Sequence, residues 1–398
     1  MSRTGYLQYN MRTVVHSGPG SIIRLPALFQ GMGAKRVVLF SDQGLKQIGV
    51  VDQIVSVFEN GQYGAGPELV GVYTDIAPDA ACSNVNQALA YAREVAADAI
   101  LAVGGGSVQD ASKGVKYGLA HGMTDIRDAT QSGIKLESWP AAKHMGIPHI
   151  GVATTAGTGA EVSAGAVFFN EELGIKSNLA APFLDPDMAV LDANLTLGLP
   201  KHLTASTGMD ALTHALEAVA SPCANPFTDA HGFMAAQMIE HNLPIVTNNG
   251  KDVAARTAML QASSMAIDAF VGALNAVPVH NCAHAFGAIY HIPHGDANSV
   301  LLPVCLQVLR DFYLPNAKRL AQALNVAITS DNNEVVMDAV MEKMSALQEA
   351  TGVPVDFKKY NIPAEDYEKI AFAIATDPFA VFFPIPQDRI SQIIALVV

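Results

Sequence analysis

The sequence predicts two domains: an amino-terminal α/β unit on a parallel sheet (residues 1–190) and an all-helical unit (residues 191–398). Three observations carry that expectation. The chain has 398 residues, more than one ordinary core serves. Through its first half, short β-branched runs alternate with helical stretches, the pattern of parallel strands joined by helical crossovers. Beyond "MAVLD" (188–192) come long Ala-, Leu- and Met-rich helical segments with almost no strand signal.

The elements of the first half follow in order. "KRVVLFS" (35–41) reads as a buried strand and "GLKQIGVVDQIVSVFENG" (44–61) as the helix after it. "ELVGVYTD" (68–75) is a second strand, followed by the helical "ACSNVNQALAYAREVAA" (81–97). "DAILAVGGGS" (98–107) is a third strand that ends in glycines, and "HIGVATTAGTG" (149–159) a fourth. Such a sheet, covered by helices on both faces, is Rossmann-like in the broad sense.

Composition narrows the partners. A formal charge of −13 argues against nucleic acid or an anionic membrane, which require clustered cations. No apolar run is long enough to span a bilayer, and the amino terminus has no signal-peptide core. Cys82, Cys223, Cys282 and Cys305 lack CxxC spacing and suit reduced thiols. A cytoplasmic protein is expected.

"ILAVGGGSVQDASKGV" is a strand, a glycine turn and a helix. Free N–H groups at such a helix start suit a phosphate. Ser107 is placed to cap the helix, with Asp110 closing a capping box. The GxGxxG fingerprint is absent, and the glycines would also suit a plain strand-to-helix turn. "VATTAGTGAEVS" repeats the device, with Thr154, Thr155 and Thr158 adding hydroxyls at the carboxyl end of another strand, where ligands of open α/β sheets bind. Together the two loops point to a dinucleotide. Asp42, directly after the first strand, can accept ribose hydroxyls and repel a 2′-phosphate, which favours NAD over NADP; as an alternative it merely caps the next helix.

In the second half, "TASTGMDALTHALEAVAS" (204–221) reads as a capped helix start. Asp210 and His214 stand four apart there, on one helical face. "VHNCAHAFGAIYHIPHG" holds four of the twelve histidines: His280 and His284 with the same spacing, His291, and His294 in a loop after a proline. One carboxylate and several imidazoles without thiolate suit Fe(II), Zn(II) or a similar ion. No Glu follows His280, so HExxH chemistry is not indicated.

With these residues assembled, the chain resembles the iron-containing, group III alcohol dehydrogenase family. The matching pieces are "SDQGL", "GGGSVQDASKG", "ATTAGTGAEVS", "TGMDALTHALEAVAS" and "VHNCAHAFGAIYHIPHGDANSVLLP", in the expected order. The resemblance implies a dehydroquinate synthase-like architecture of dinucleotide-binding and helical domains. It implies that Asp210, His214, His280 and His294 bind the metal, with His284 near the nicotinamide. It further implies that Gly105, Gly106, Ser107 and Val108 hold the pyrophosphate, that Thr154, Thr155 and Thr158 line the cofactor, and that Lys176 bonds its nicotinamide-side ribose. Asp42 matches the family's NAD discriminator. Three positions depart from the pattern: Asp79 where many members have Asn, Ala160 where Ser is frequent, and "FPIPQDR" (383–389) in place of NPR.

The implied reaction is reversible NAD-linked oxidation of a small primary or secondary alcohol, assisted by a divalent metal, Fe(II) or alternatively Zn(II). The metal would act as a Lewis acid and His284 would relay the hydroxyl proton. A polyol or hydroxy-acid dehydrogenase of the same superfamily and a metal-dependent hydrolase are the rival readings. Apolar walls from residues 266–277 and 377–384 suggest a poorly charged substrate, and the resemblance implies a homodimer or larger homo-oligomer.

Overall fold

The computed structural model describes residues 7–61, 66–139 and 142–398. The chain divides into two units. One comprises Met11–Thr155 and Gly159–Leu197; the other takes Gly198–Val398 together with Ala156–Thr158 and residues 7–10.

The first unit is built on a parallel six-stranded sheet. Its strands are β1 (Val14–Ser17), β2 (Arg36–Phe40), β3 (Glu68–Tyr73), β4 (Ala99–Gly104), β6 (His149–Ala153) and β9 (Met188–Leu191), with β5 (Ile134–Leu136), β7 (Gly165–Asn170) and β8 (Ile175–Ala180) in a smaller sheet. The large sheet runs β1-β9-β6-β4-β2-β3 and the small one β5-β8-β7. Helices α1 (Leu25–Gly31), α2 (Gln43–Gln47), α3 (Val50–Gly61), α4 (Cys82–Glu94) and α5 (Gly106–Ala120) complete the unit.

Alternate strand residues enter opposite cores, as the pleat requires. Val37, Leu39, Leu101 and Val103 join one cluster; Val38, Phe40, Ile100 and Ala102 join the other. Both faces are therefore buried, which is why these strands read as continuous apolar runs. From β2 the chain turns outward to β3, whereas β4 leads the other way to β6. The order reverses between β2 and β4, and there the loops after two neighbouring strands diverge to leave a crevice. Asp42 and the glycine turn both lie at that edge.

Local differences have local causes. The helix expected over 44–61 is broken by Gly49, whose φ of +82° no helix accommodates. The four expected strands are β2, β3, β4 and β6; strands β1, β5, β7, β8 and β9 lie beyond that expectation. The four cysteines are unbridged.

The second unit is helical: α6 (Lys201–Ala220), α7 (Pro226–Asn248), α8 (Val253–Gly272), α9 (Pro278–Tyr290), α10 (His294–Val308), α11 (Arg310–Tyr313), α12 (Ala317–Ala323), α13 (Asn333–Thr351), α14 (Tyr367–Thr376) and α15 (Gln387–Val397). Its core draws on most of these helices. Helix α6 starts at Lys201 after Pro200 with no side-chain cap, earlier than the expected capped start near Thr204. Buried positions fill α6 from Gly208 to Ala220, so Asp210, His214 and Glu217 must find polar partners inside the unit. Among the described residues, no helix is long and apolar enough to cross a membrane.

Candidate active site

Three helices of the second unit converge on one point. Asp210 comes from α6, His280 from α9, and His294 opens α10. Asp210 Oδ1 lies 3.7 Å from His280 Nε2 and 3.6 Å from His294 Nε2. One ligand atom from each of the three falls within 4.8 Å of the others. Ligands about 2.0–2.2 Å from one divalent ion sit about 3–3.5 Å apart, so a small contraction of this trio would close it on an ion. His280 Nε2 is buried with no hydrogen-bond partner, which is the condition of a nitrogen left for a metal. The donor set therefore fits a divalent ion.

His214 adjoins the trio, its ring stacked on that of His280 with centroids 4.4 Å apart. Its donor atoms fall outside the 4.8 Å set. His294 is the first residue of a helix and not, as expected, part of a loop. His291 closes α9 in the left-handed region at φ 53°, and Pro293 precedes the new helix. Gly295 is required next: a Cβ there would stand 2.6 Å from the backbone oxygen of Ser206 on α6.

Electrostatics sharpen the site. Burial would raise the Asp210 carboxyl, yet His214, His294 and His280 hold it far below the ordinary carboxylate range. Burial lowers the His214 pKa to about 3, outweighing the pull of Asp210. Burial also opposes a charge on His280, but Glu217 and Asp210 together raise it to about 9.

Two residues that sequence reasoning missed hold this arrangement. Glu217 Oε2 lies 2.5 Å from His280 Nδ1, and its Oε1 accepts the Val279 N–H at 2.7 Å. Asn298 Nδ2 donates to Asp210 Oδ1 at 2.7 Å and lies 3.2 Å from His294 Nε2. A signal for Glu217 existed, since Asp210, His214 and Glu217 follow i, i+4, i+7 spacing on one helical stripe. His284, one turn along from His280, is 5% exposed, and its ring centroid stands 5.7 Å from that of His294. Phe270 packs 4.8 Å from the His280 ring and Phe379 5.4 Å from the His284 ring, so both expected apolar segments reach the site.

In the α/β unit, Gly105 caps α5 and Gly106 begins it. This corrects the expected capping box. Ser107 sits inside the helix and its Oγ accepts the Asp79 N–H at 3.0 Å, while Asp110 accepts from Val167 N and pairs with Lys113. The turn is tight: a Cβ on Gly104 would meet Val108 Cβ at 2.5 Å, and one on Gly105 would meet Thr155 Oγ1 at 3.2 Å. The two loops thus lie side by side, as two walls of one ligand site must. Thr154 is buried with its N–H on Gly104 O, and Thr158 belongs with the helical unit. Lys176 Nζ pairs with Asp79 Oδ1 at 2.9 Å. Asp42 Oδ1 accepts the Leu45 N–H at 2.9 Å, so it does cap α2.

A parallel sheet with a glycine turn at its switch point, in one chain with a buried aspartate–histidine cluster on helices, is the combination a metal-assisted dehydrogenase requires. The comparisons make the assignment specific. The iron-containing alcohol dehydrogenase model matches residues 12–193, and the carboxyl-terminal model of the Fe-containing alcohol dehydrogenase family matches residues 204–397. The chain is 33% identical to the 1,3-propanediol dehydrogenase of Klebsiella pneumoniae, over 91% of each protein. It is 31% identical to the NADPH-dependent butanol dehydrogenase of Clostridium saccharobutylicum, over 91% of this chain and 89% of the relative. A crystal structure of 1,3-propanediol oxidoreductase superposes with a TM-score of 0.88 at 31% identity, covering 99% of this chain and 100% of the other. The chain belongs to the iron-containing alcohol dehydrogenase family, and it is an oxidoreductase that acts on alcohols.

Proposed function

We propose that this alcohol dehydrogenase interconverts a small, poorly charged alcohol and its aldehyde or ketone with NAD, using a divalent ion, Fe(II) in preference to Zn(II). Asp210, His214, His280 and His294 hold the ion, which supplies Lewis-acid polarisation of the substrate oxygen when bound. The single observation that carries this reading is the convergence of Asp210, His280 and His294 donor atoms within 4.8 Å.

The chain's own residues do the rest. N–H groups around Gly105, Gly106, Ser107 and Val108 take the pyrophosphate at the start of α5. Thr154, Thr155 and Thr158 line the cofactor, and Lys176 donates to its ribose. Asp42, fixed by its cap, selects NAD by repelling a 2′-phosphate. His284 exchanges the hydroxyl proton, while Phe270 and Phe379 keep water from the site. The enzyme works in the cytoplasm as a homodimer or larger homo-oligomer.

The test is chelation followed by reloading with Fe(II), Zn(II), Mn(II) or Mg(II) singly. Each sample is assayed for NADH or NADPH absorbance with a panel of small alcohols and aldehydes. Stripped protein is expected to be inactive and restored best by Fe(II) with NAD; undiminished turnover after complete stripping overturns the reading.

A further inference from the structure

Asp377 is a carboxylate for which the reading above has no use. It is 9% exposed and lies six residues before the segment that departs from the family pattern. Its two oxygens have different partners. Oδ1 accepts the Phe379 N–H at 2.9 Å, capping the short turn Pro378–Val381, and Oδ2 lies 3.2 Å from His284 Nδ1. The cap holds the carboxylate in place, so the imidazole is the group that must conform.

An ionised carboxylate only accepts hydrogen bonds. The nitrogen facing it, Nδ1, therefore carries the hydrogen, and in a neutral ring Nε2 is left as the acceptor. The ring plane is fixed on two further sides, by Phe379 at 5.4 Å and His294 at 5.7 Å between centroids. We infer that Asp377 is a positioning residue for His284: it selects the Nδ1–H tautomer and holds the ring so that Nε2 meets the substrate hydroxyl proton. This rests on the proton-transfer role given to His284 above.

Capping alone would be served equally by Asn, and that difference supplies the test. In Asp377→Asn the side-chain oxygen can still cap Phe379, but the amide turns a donor toward Nδ1. Nδ1 must then accept, which moves the hydrogen to Nε2, the wrong tautomer for accepting a proton. The variant is expected to keep its melting temperature, its metal content and its KM, while kcat falls on the order of 10²-fold. Placed on a His284→Ala background, the same substitution is expected to cost nothing further. Nitrogen-15 spectra of histidine-labelled protein are expected to show His284 protonated at Nδ1 in the native enzyme and at Nε2 in the variant.

A native His284 protonated at Nε2 overturns the inference, as does an Asp377→Asn loss that adds in full to that of His284→Ala. So does Asp377→Asn turnover within about twofold of native while His284→Ala is crippled. If His284→Ala alone leaves turnover intact, the role of His284 in proton transfer fails instead, and the spectra still decide whether Asp377 sets the tautomer.

Discussion

Glu217 grips His280 from the side away from the cluster, with Oε2 2.5 Å from Nδ1 and Oε1 on the backbone N–H of Val279, the residue just before it. One carboxylate thereby fixes both the ring and the first turn of α9 that carries it. Such partners set the tautomer and basicity of a ligating imidazole, and losing one costs about 10–100-fold in metal affinity or activity. Glu217→Gln has one acceptor where two are needed, so it is expected to weaken metal binding by about 10-fold or more. Titration of stripped protein with Fe(II) or Zn(II) under anaerobic conditions checks it. Native affinity in Glu217→Gln would remove the residue from the metal site.

Metal binding should also release a proton. With its pKa raised to about 9 by Glu217 and Asp210 against burial, His280 is protonated at neutral pH before an ion arrives. A ligand nitrogen must give that proton up. Apparent affinity is therefore expected to rise about tenfold per pH unit from pH 7 and to level off near pH 9. Calorimetry in buffers of different ionisation enthalpy, at pH 7, is expected to report about one proton released per ion. Affinity independent of pH across that range would contradict a charged His280.

The parts legible in the sequence are those whose cause is local. Strands β2, β4 and β6 are buried on both faces and announce themselves as apolar runs. Edge strand β1 does not: Val14 is 52% exposed, and the partner of this strand is β9, far along the chain. Strand β8, "IKSNLA", is half polar and owes its conformation to antiparallel pairing with β7. The same division runs through the site. Asp210 and His214, or His280 and His284, are readable from spacing four because a helix places them on one face. Asp377 acts on His284 of another element, and no local periodicity marks it. Asn298 does stand four residues after His294 on α10, but its bond to Asp210 crosses to α6, which spacing does not show.

Asp42 gives a prediction in which stability and selectivity separate. Its Oδ1 caps α2 through Leu45 N–H, and losing such a cap costs about 1 kcal/mol. Asp42→Asn keeps the cap but removes the charge that opposes a 2′-phosphate. The ratio of kcat/KM for NAD to that for NADP is expected to fall by on the order of tenfold with an unchanged melting temperature. Asp42→Ala should show the same relaxation and also lose stability. An Asn variant as selective as the native enzyme would leave Asp42 a cap and nothing more.

His149 predicts how the α/β unit responds to acid. It sits in β6 with no exposure, and neither ring nitrogen has a hydrogen-bond partner. Burial, reinforced by Lys116, Lys113 and Arg12, holds its pKa well below the usual imidazole value of 6.5. Above pH 6.5 the ring is neutral in both folded and unfolded chains, and it contributes no pH dependence. Below that value the unfolded chain binds a proton that the folded one refuses, so stability is lost as pH falls, by up to about 1.4 kcal/mol per pH unit. Urea denaturation of metal-free protein between pH 7 and pH 5 is expected to show this loss. His149→Val should abolish the contribution, because an apolar β-branched side chain suits a strand buried on both faces and has no proton to bind. If native and His149→Val proteins lose stability in parallel over that interval, the acid sensitivity comes from other groups, and His149 is already protonated or already solvated in the folded chain.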